Sequence, residues 1–178
     1  MSQTLKQAIA GWDGKSSEDI DTIYSGFELD ASLVDDLLLC LEDQTLQSGA
    51  TWLLKRHLVG KGVRSHKAFS PQKISAGQIL CVYKQLPQLK HWSARLHLLQ
   101  TMDVLPIALA VKDTVEHFLR RCLADDNKFV RAWAYSGFHL LQQQYPEYKA
   151  EVDGFFALAM QDEAASVKAR IRNILKRK

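Results

Sequence analysis

An all-α fold is predicted here, specifically a right-handed α-solenoid of about four stacked helix pairs behind a short N-terminal helical cap, and three observations predict it. The stretch Cys40-Leu41-Glu42-Asp43 returns as Cys122-Leu123-Ala124-Asp125, with Leu80-Cys81-Val82 midway between them. Each copy precedes a stretch built around an alanine, Ser48-Gly49-Ala50-Thr51, Trp92-Ser93-Ala94-Arg95 and Val130-Arg131-Ala132-Trp133, and a fourth such stretch, Val167-Lys168-Ala169-Arg170, follows, with the alanines 37–44 residues apart. Apolar residues recur at helical spacing almost throughout, and four prolines and nine glycines are few for an all-β chain of this length. Self-similarity at such a period marks helix pairs that bury their apolar faces only by stacking on neighbours. The 178 residues suit one domain, 1–178, with 1–29 as the cap and 61–73 as a basic inter-repeat loop.

The elements follow in order. Residues 4–12 place Leu5, Ala8, Ile9 and Trp12 on one helical face. Ser16-Ser17-Glu18-Asp19 is a helix start, a hydroxyl cap followed by acids in the first turn, for a helix over about 17–25. Asp30-Ala31-Ser32 caps a helix carrying Leu33, Leu37, Leu38 and Leu41. A helix over about 46–59 ends at Gly60-Lys61-Gly62, because glycine tolerates the left-handed backbone of a helix C-terminus. Residues 61–73 lack periodicity and read as a loop. A helix over 74–86 stops at Pro87, and another over 89–101 stops before Asp103 to Pro106. Helices over 107–123 and 128–144 flank the capping turn Asp125-Asp126-Asn127, and Tyr145-Pro146 closes the second. Helices over 147–160 and 165–176 complete the series.

The net charge of +3 conceals a sharp segregation. Residues 1–43 hold ten acids against Lys6 and Lys15, whereas 44–102 hold no acid, nine Lys or Arg, and four His. The six charges nearest the C-terminus are all positive. Segregation of this kind speaks to partners and long-range fields. No apolar run approaches the length needed to span a membrane, and no signal-peptide pattern opens the chain. Cys40, Cys81 and Cys122 sit in apolar helical contexts, which reads as reduced, buried thiols of a cytoplasmic protein.

Asp126-Asn127-Lys128-Phe129-Val130-Arg131-Ala132-Trp133-Ala134 resembles a HEAT repeat, in which a turn aspartate precedes a Val-Arg pair opening the second helix. Asp162 to Arg170 resembles the next copy, with Lys168 in the arginine position, and the two earlier copies match through the alanine and the apolar spacing. The resemblance to the HEAT/armadillo-type helical repeat superfamily covers about 30–178. It implies a curved stack whose second helices line a concave, partner-binding face.

That face would gather Lys55, Arg56, Trp92, Arg95, Arg131, Trp133, Lys168 and Arg170 as binding residues. Arginine interleaved with aromatics suits carboxylate, phosphate and base contacts. For Arg131 the alternative is an internal pair with a neighbouring turn aspartate. The basic cluster Lys55, Arg56, Lys61, Arg64, Lys67 and Lys73, beside His57 and His66, has a solvated loop as its alternative. Trp12, Trp52, Trp92 and Trp133, spaced by 40, 40 and 41, read first as core. No nucleophile elbow, Walker loop or dinucleotide fingerprint occurs, and no histidine pair has zinc-ligand spacing, so no catalytic residue, metal or cofactor is expected. The reading is a non-catalytic scaffold with a protein partner first and nucleic acid second. The second is strengthened by the similarity of Phe129 to Ala134, followed by Tyr145-Pro146-Glu147, to bacterial HEAT-like alkylpurine DNA glycosylases. That similarity would make Asp125 and Asp126 the candidate acids.

Overall fold

The computed structural model describes residues 4–28, 30–60 and 73–176. Among these residues there are ten α-helices, four short 3-10 turns and no strand. The helices are α1 (Leu5–Ala10), α2 (Ser17–Ser25), α3 (Ala31–Cys40), α4 (Gln47–Val59), α5 (Ala76–Gln85), α6 (Trp92–Thr101), α7 (Lys112–Leu123), α8 (Lys128–Gln144), α9 (Lys149–Asp162) and α10 (Ala165–Leu175).

Local signals set most boundaries. The Ser16 hydroxyl accepts from Asp19 N–H, Asp30 accepts from Ser32 N–H, and Asn127 accepts from Phe129 N–H, each satisfying an orphan donor of a first turn. Reciprocal capping boxes, Thr4 with Gln7 and Ser75 with Gln78, open α1 and α5. Gly60 closes α4 at φ 85°, a conformation that side chains disfavour.

The chain divides into two compact units, Met1–Pro106 and Ile107–Lys178. In the first, α1 packs on α2 and α3, α3 on α4 and α5, and α4 on α2 and α6. Val34, Leu37, Ala50, Leu53, Leu54, Val82 and Leu86 form its fully buried centre. Each such leucine contributes about 1.5–3 kcal/mol by leaving water. Tyr83, also buried, donates its hydroxyl to Leu105 O at 2.7 Å, which removes the cost of an orphaned polar group. Gln47 is the polar counterpart. Its buried amide donates to Leu41 O and Gln88 O and accepts from Lys90 N–H, all at 3.0–3.1 Å, tying the end of α3 to the entry of α6. Gly49 lets the cap approach α4, since a Cβ there would stand 2.6 Å from Ile9 Cγ2.

In the second unit α8 packs against α7, α9 and α10, and α9 packs on α10. The apolar stripes Val115, Phe118, Leu119 and Cys122 of α7 and Val130, Ala134, Phe138 and Leu141 of α8 are buried, as are Val152, Phe156 and Ala159 of α9 and Val167, Ile171 and Ile174 of α10. Arg120 bridges Glu116 and Glu151, and Glu116 accepts the Tyr148 hydroxyl at 2.6 Å.

Several expectations need correction. Helix α7 begins at Lys112 rather than 107. Ile107 is buried with both backbone groups held, its N–H by Gln144 Oε1 and its carbonyl by the Tyr145 hydroxyl, and Ala108 is extended (ψ 149°). Leu109, in the 3-10 turn before α7, is 73% exposed. Cys81 is exposed, not buried, because α5 turns Ile79, Val82 and Tyr83 inward and position 81 falls off that stripe. Cys40 and Cys122 are buried. None of the four tryptophans is fully buried. Trp12 is half-buried and donates Nε1–H to Ser16 O. The basic loop 61–73 lies outside the described residues except for Lys73.

Candidate functional site

The candidate binding residues lie on α4 and α6, which pack together in the first unit, and on α8 and α10, which pack together in the second. A ladder of polar contacts fixes the register of α4 on α6. Ser48 Oγ meets Ser93 Oγ at 2.6 Å, Thr51 Oγ1 meets His97 Nδ1 at 3.1 Å, and Lys55 Nζ donates to Gln100 Oε1 at 3.1 Å. The rungs fall on successive turns of both helices, so the two run side by side in the same direction. The Thr51 hydroxyl also lies within hydrogen-bond distance of Gln47 O, at 2.7 Å. Burial pushes the His97 pKa down to about 3.

This register leaves Trp52, Lys55 and Arg56 on the half-exposed side of α4 and Trp92, Leu96 and Gln100 on that of α6. The Lys55 ammonium lies 5.9 Å from the Trp52 ring, and burial lowers its pKa. Arg56 donates to Asp21 at 2.8 Å and stacks 5.1 Å over Tyr24, so one acid of the N-terminal segment already answers it. Trp92 is 43% exposed at the start of α6, its ring tilted against His91. Arg95 donates to Lys90 O at 2.7 Å. Beneath them His57 is buried between the Tyr24 hydroxyl and Lys73 O, and Lys73 donates back to His57 O.

On α8 and α10 the candidates divide by what already holds them. Arg131 grips Glu163 with two nitrogens, at 2.8 and 3.1 Å, and gives a third to the carbonyls of Asp125 and Asp126. That is the internal alternative for this residue, with Glu163 rather than an aspartate as the partner. The Asp125 carboxylate accepts Asn127 N–H at 2.9 Å, so it shapes the turn. Lys168 donates to Gln161 O. Arg170 lies over half-buried Trp133 and bonds Ser136 Oγ.

One feature of these four helices is only partly visible in the charge along the chain. The ranges of α4, α6, α8 and α10 carry eight Lys or Arg and not one carboxylate, whereas the α3, α7 and α9 ranges all contain acids. For α4 and α6 it follows from the acid-free run 44–102, which also takes in α5; for α8 and α10 it appears only when acids are counted helix by helix. Glu163 and Tyr24, which neutralise or cover candidate cations, carried no local signal, because each reaches its partner from a distant segment.

The described residues contain no group of three or more His, Cys, Asp or Glu placed to hold a metal ion, and no helix among them is long and apolar enough to cross a membrane. Trp92 is exposed, whereas Arg56, Arg131 and Arg170 are each engaged within the fold. Comparison with protein-family models, with curated proteins and with solved structures returned no match.

Proposed function

We propose that this chain is a non-catalytic scaffold of the HEAT type, an α-solenoid whose second helices hold an acidic partner, a protein segment, on their concave side. The observation that carries the reading is the absence of any carboxylate from α4, α6, α8 and α10 beside eight cations. Such a surface attracts acidic chains from a distance and excludes basic ones. Side-by-side packing of α4 with α6 and of α8 with α10 supports the repeat architecture. Trp92 and Trp133 supply aromatic contact, while Arg131 holds the frame through Glu163. Three cysteines without disulfides accord with a reducing, cytoplasmic setting.

Anisotropy titrations of a labelled poly-glutamate peptide, single- and double-stranded DNA and RNA, over about 50–300 mM salt, test this. The peptide is expected to bind with a salt-dependent affinity that falls roughly tenfold in Arg95→Glu and in Lys168→Glu. Absence of binding to every anionic probe at low salt overturns it. Stronger binding to single-stranded nucleic acid would favour the second reading, which rests on the exposed indole of Trp92 as a base-stacking platform. Release of an alkylated base from DNA would be the mark of a glycosylase.

A further inference from the structure

Two other surfaces differ in charge, and each exposes a leucine. In the first unit a groove of about 570 Å³ opens between α1, Phe27 and α3. Leu5, Phe27 and Leu39 give it an apolar lining, and its charged lining residues are Asp36 and Glu42 against Lys6. Leu39 is 64% exposed. The field around it is negative, since residues 1–43 hold ten acids and two lysines, and one of these, Lys6, lies 3.9 Å from Asp43.

In the second unit α9 and α10 expose the sides opposite their buried stripes. These carry Ala150, Gly154 and Leu158 on α9 and Ala169 and Arg172 on α10, with Lys176 at its C-cap. Leu158 is 61% exposed and Leu175 41%. A Cβ at Gly154 would meet nothing within 4 Å. A mid-helix glycine costs about 1 kcal/mol against alanine, and close approach of another chain is a use that offsets that cost. The acids of α9 are partly answered within the unit, Glu151 by Arg120 and Asp153 by Lys149, while Arg172 and Lys176 are exposed.

We propose that copies of this chain associate head to tail, the α9–α10 face of one seating Leu158 at the α1–α3 groove of the next. Arg172 and Lys176 then oppose Asp36 and Glu42, so the apolar contact and the charges select the same pairing. Two different patches meet, so the contact is heterologous and leaves one docking face open at each end. The inference is independent of what the second helices bind.

Sedimentation velocity of the full chain, from micromolar to sub-millimolar concentration at low and high salt, tests it. Mass is expected to rise with concentration and to fall back with salt. Leu39→Asp and Leu158→Asp, both at exposed positions, are each expected to weaken association at least about tenfold. Circular dichroism checks that both remain folded. Mixed together, the two variants should form 1:1 dimers that grow no further, because each retains the face the other lacks. A monomer under all conditions overturns the proposal. So does association that either variant leaves unchanged, or a mixture that fails to dimerise.

Discussion

The guanidinium carbon of Arg170 lies 3.3 Å from the ring centroid of Trp133, joining α10 to α8 by a cation–π contact. The Nε of the same group donates to Ser136 Oγ at 2.7 Å. An arginine expected to face a partner therefore also braces the helix pair, and its indole neighbour keeps it in place. Arg170→Ala is expected to lower the unfolding free energy by about 1–2 kcal/mol, the sum of a partly desolvated cation–π contact and a charge-assisted hydrogen bond. Urea denaturation measures it. Arg170→Lys should recover part of the loss, since an ammonium keeps the charge but not the planar stack.

Arg131 and Glu163 form the other inter-helix clasp, with side chains 22% and 16% exposed. A double-mutant cycle of Arg131→Ala and Glu163→Ala should give a coupling of about 1–2 kcal/mol. Arg131→Ala should cost more than Glu163→Ala, because it also strips the turn carbonyls of Asp125 and Asp126. The Arg131 guanidinium holds the Glu163 carboxyl below its ordinary value of 4.5. Its folded value is depressed, so the stabilisation is present above that range and is lost as the pH falls below it. Glu163→Gln should flatten this part of the acid-unfolding profile.

His97 is the pH-sensitive rung of the α4–α6 ladder. Its pKa falls from 6.5 to about 3, chiefly by burial and then by the nearby Lys55 ammonium. The unfolded chain takes up the proton first, so stability is full above pH 6.5 and declines as the pH falls from there toward about 3. The loss should be on the order of 2 kcal/mol between about pH 7 and about pH 4.5, a window above most carboxylate titration. His97→Gln should remove most of that slope. His57, whose pKa burial also lowers, leaves the remainder. Urea midpoints across the pH range read both.

Two helical glycines should respond with opposite signs to alanine. At Gly49 the new Cβ would meet Ile9 Cγ2 at 2.6 Å, so overpacking against the cap outweighs the gain in helix propensity, a net loss of about 1–2 kcal/mol. At Gly154 nothing lies within 4 Å, and Gly154→Ala should stabilise by about 0.5–1 kcal/mol. Thermal unfolding of the pair at low protein concentration checks both.

The helices themselves were legible. Ser16, Asp30, Asn127 and Gly60 act on backbone groups within a few residues of themselves, so their effect could be read without the fold. Thr4 with Gln7 and Ser75 with Gln78 fit the capping-box spacing and were legible in principle. Helix α7 is shorter than the apolar spacing predicts because Ile107 is held by Gln144 and Tyr145, long-range bonds that no local pattern encodes. Cys81 looked buried because its neighbours are apolar, and the phase of α5 decided otherwise. The candidate site was legible as a set of residue types but not as a set of commitments. Arg56 is answered by Asp21 and Arg131 by Glu163, whereas Trp92 stays exposed.

By itself the sequence determined an all-helical chain, its capping points and the segregation of its charges, because these depend on side chains acting on their own or adjacent turns. Only the tertiary structure decided which cations are neutralised within the fold, that Gln47 and His97 are buried and hydrogen-bonded, and that Leu39 and Leu158 face outward. Those outcomes turn on which helices pack side by side and at what rotation. Both follow from the summed burial of apolar stripes drawn from helices far apart in the chain, a quantity that no local window contains.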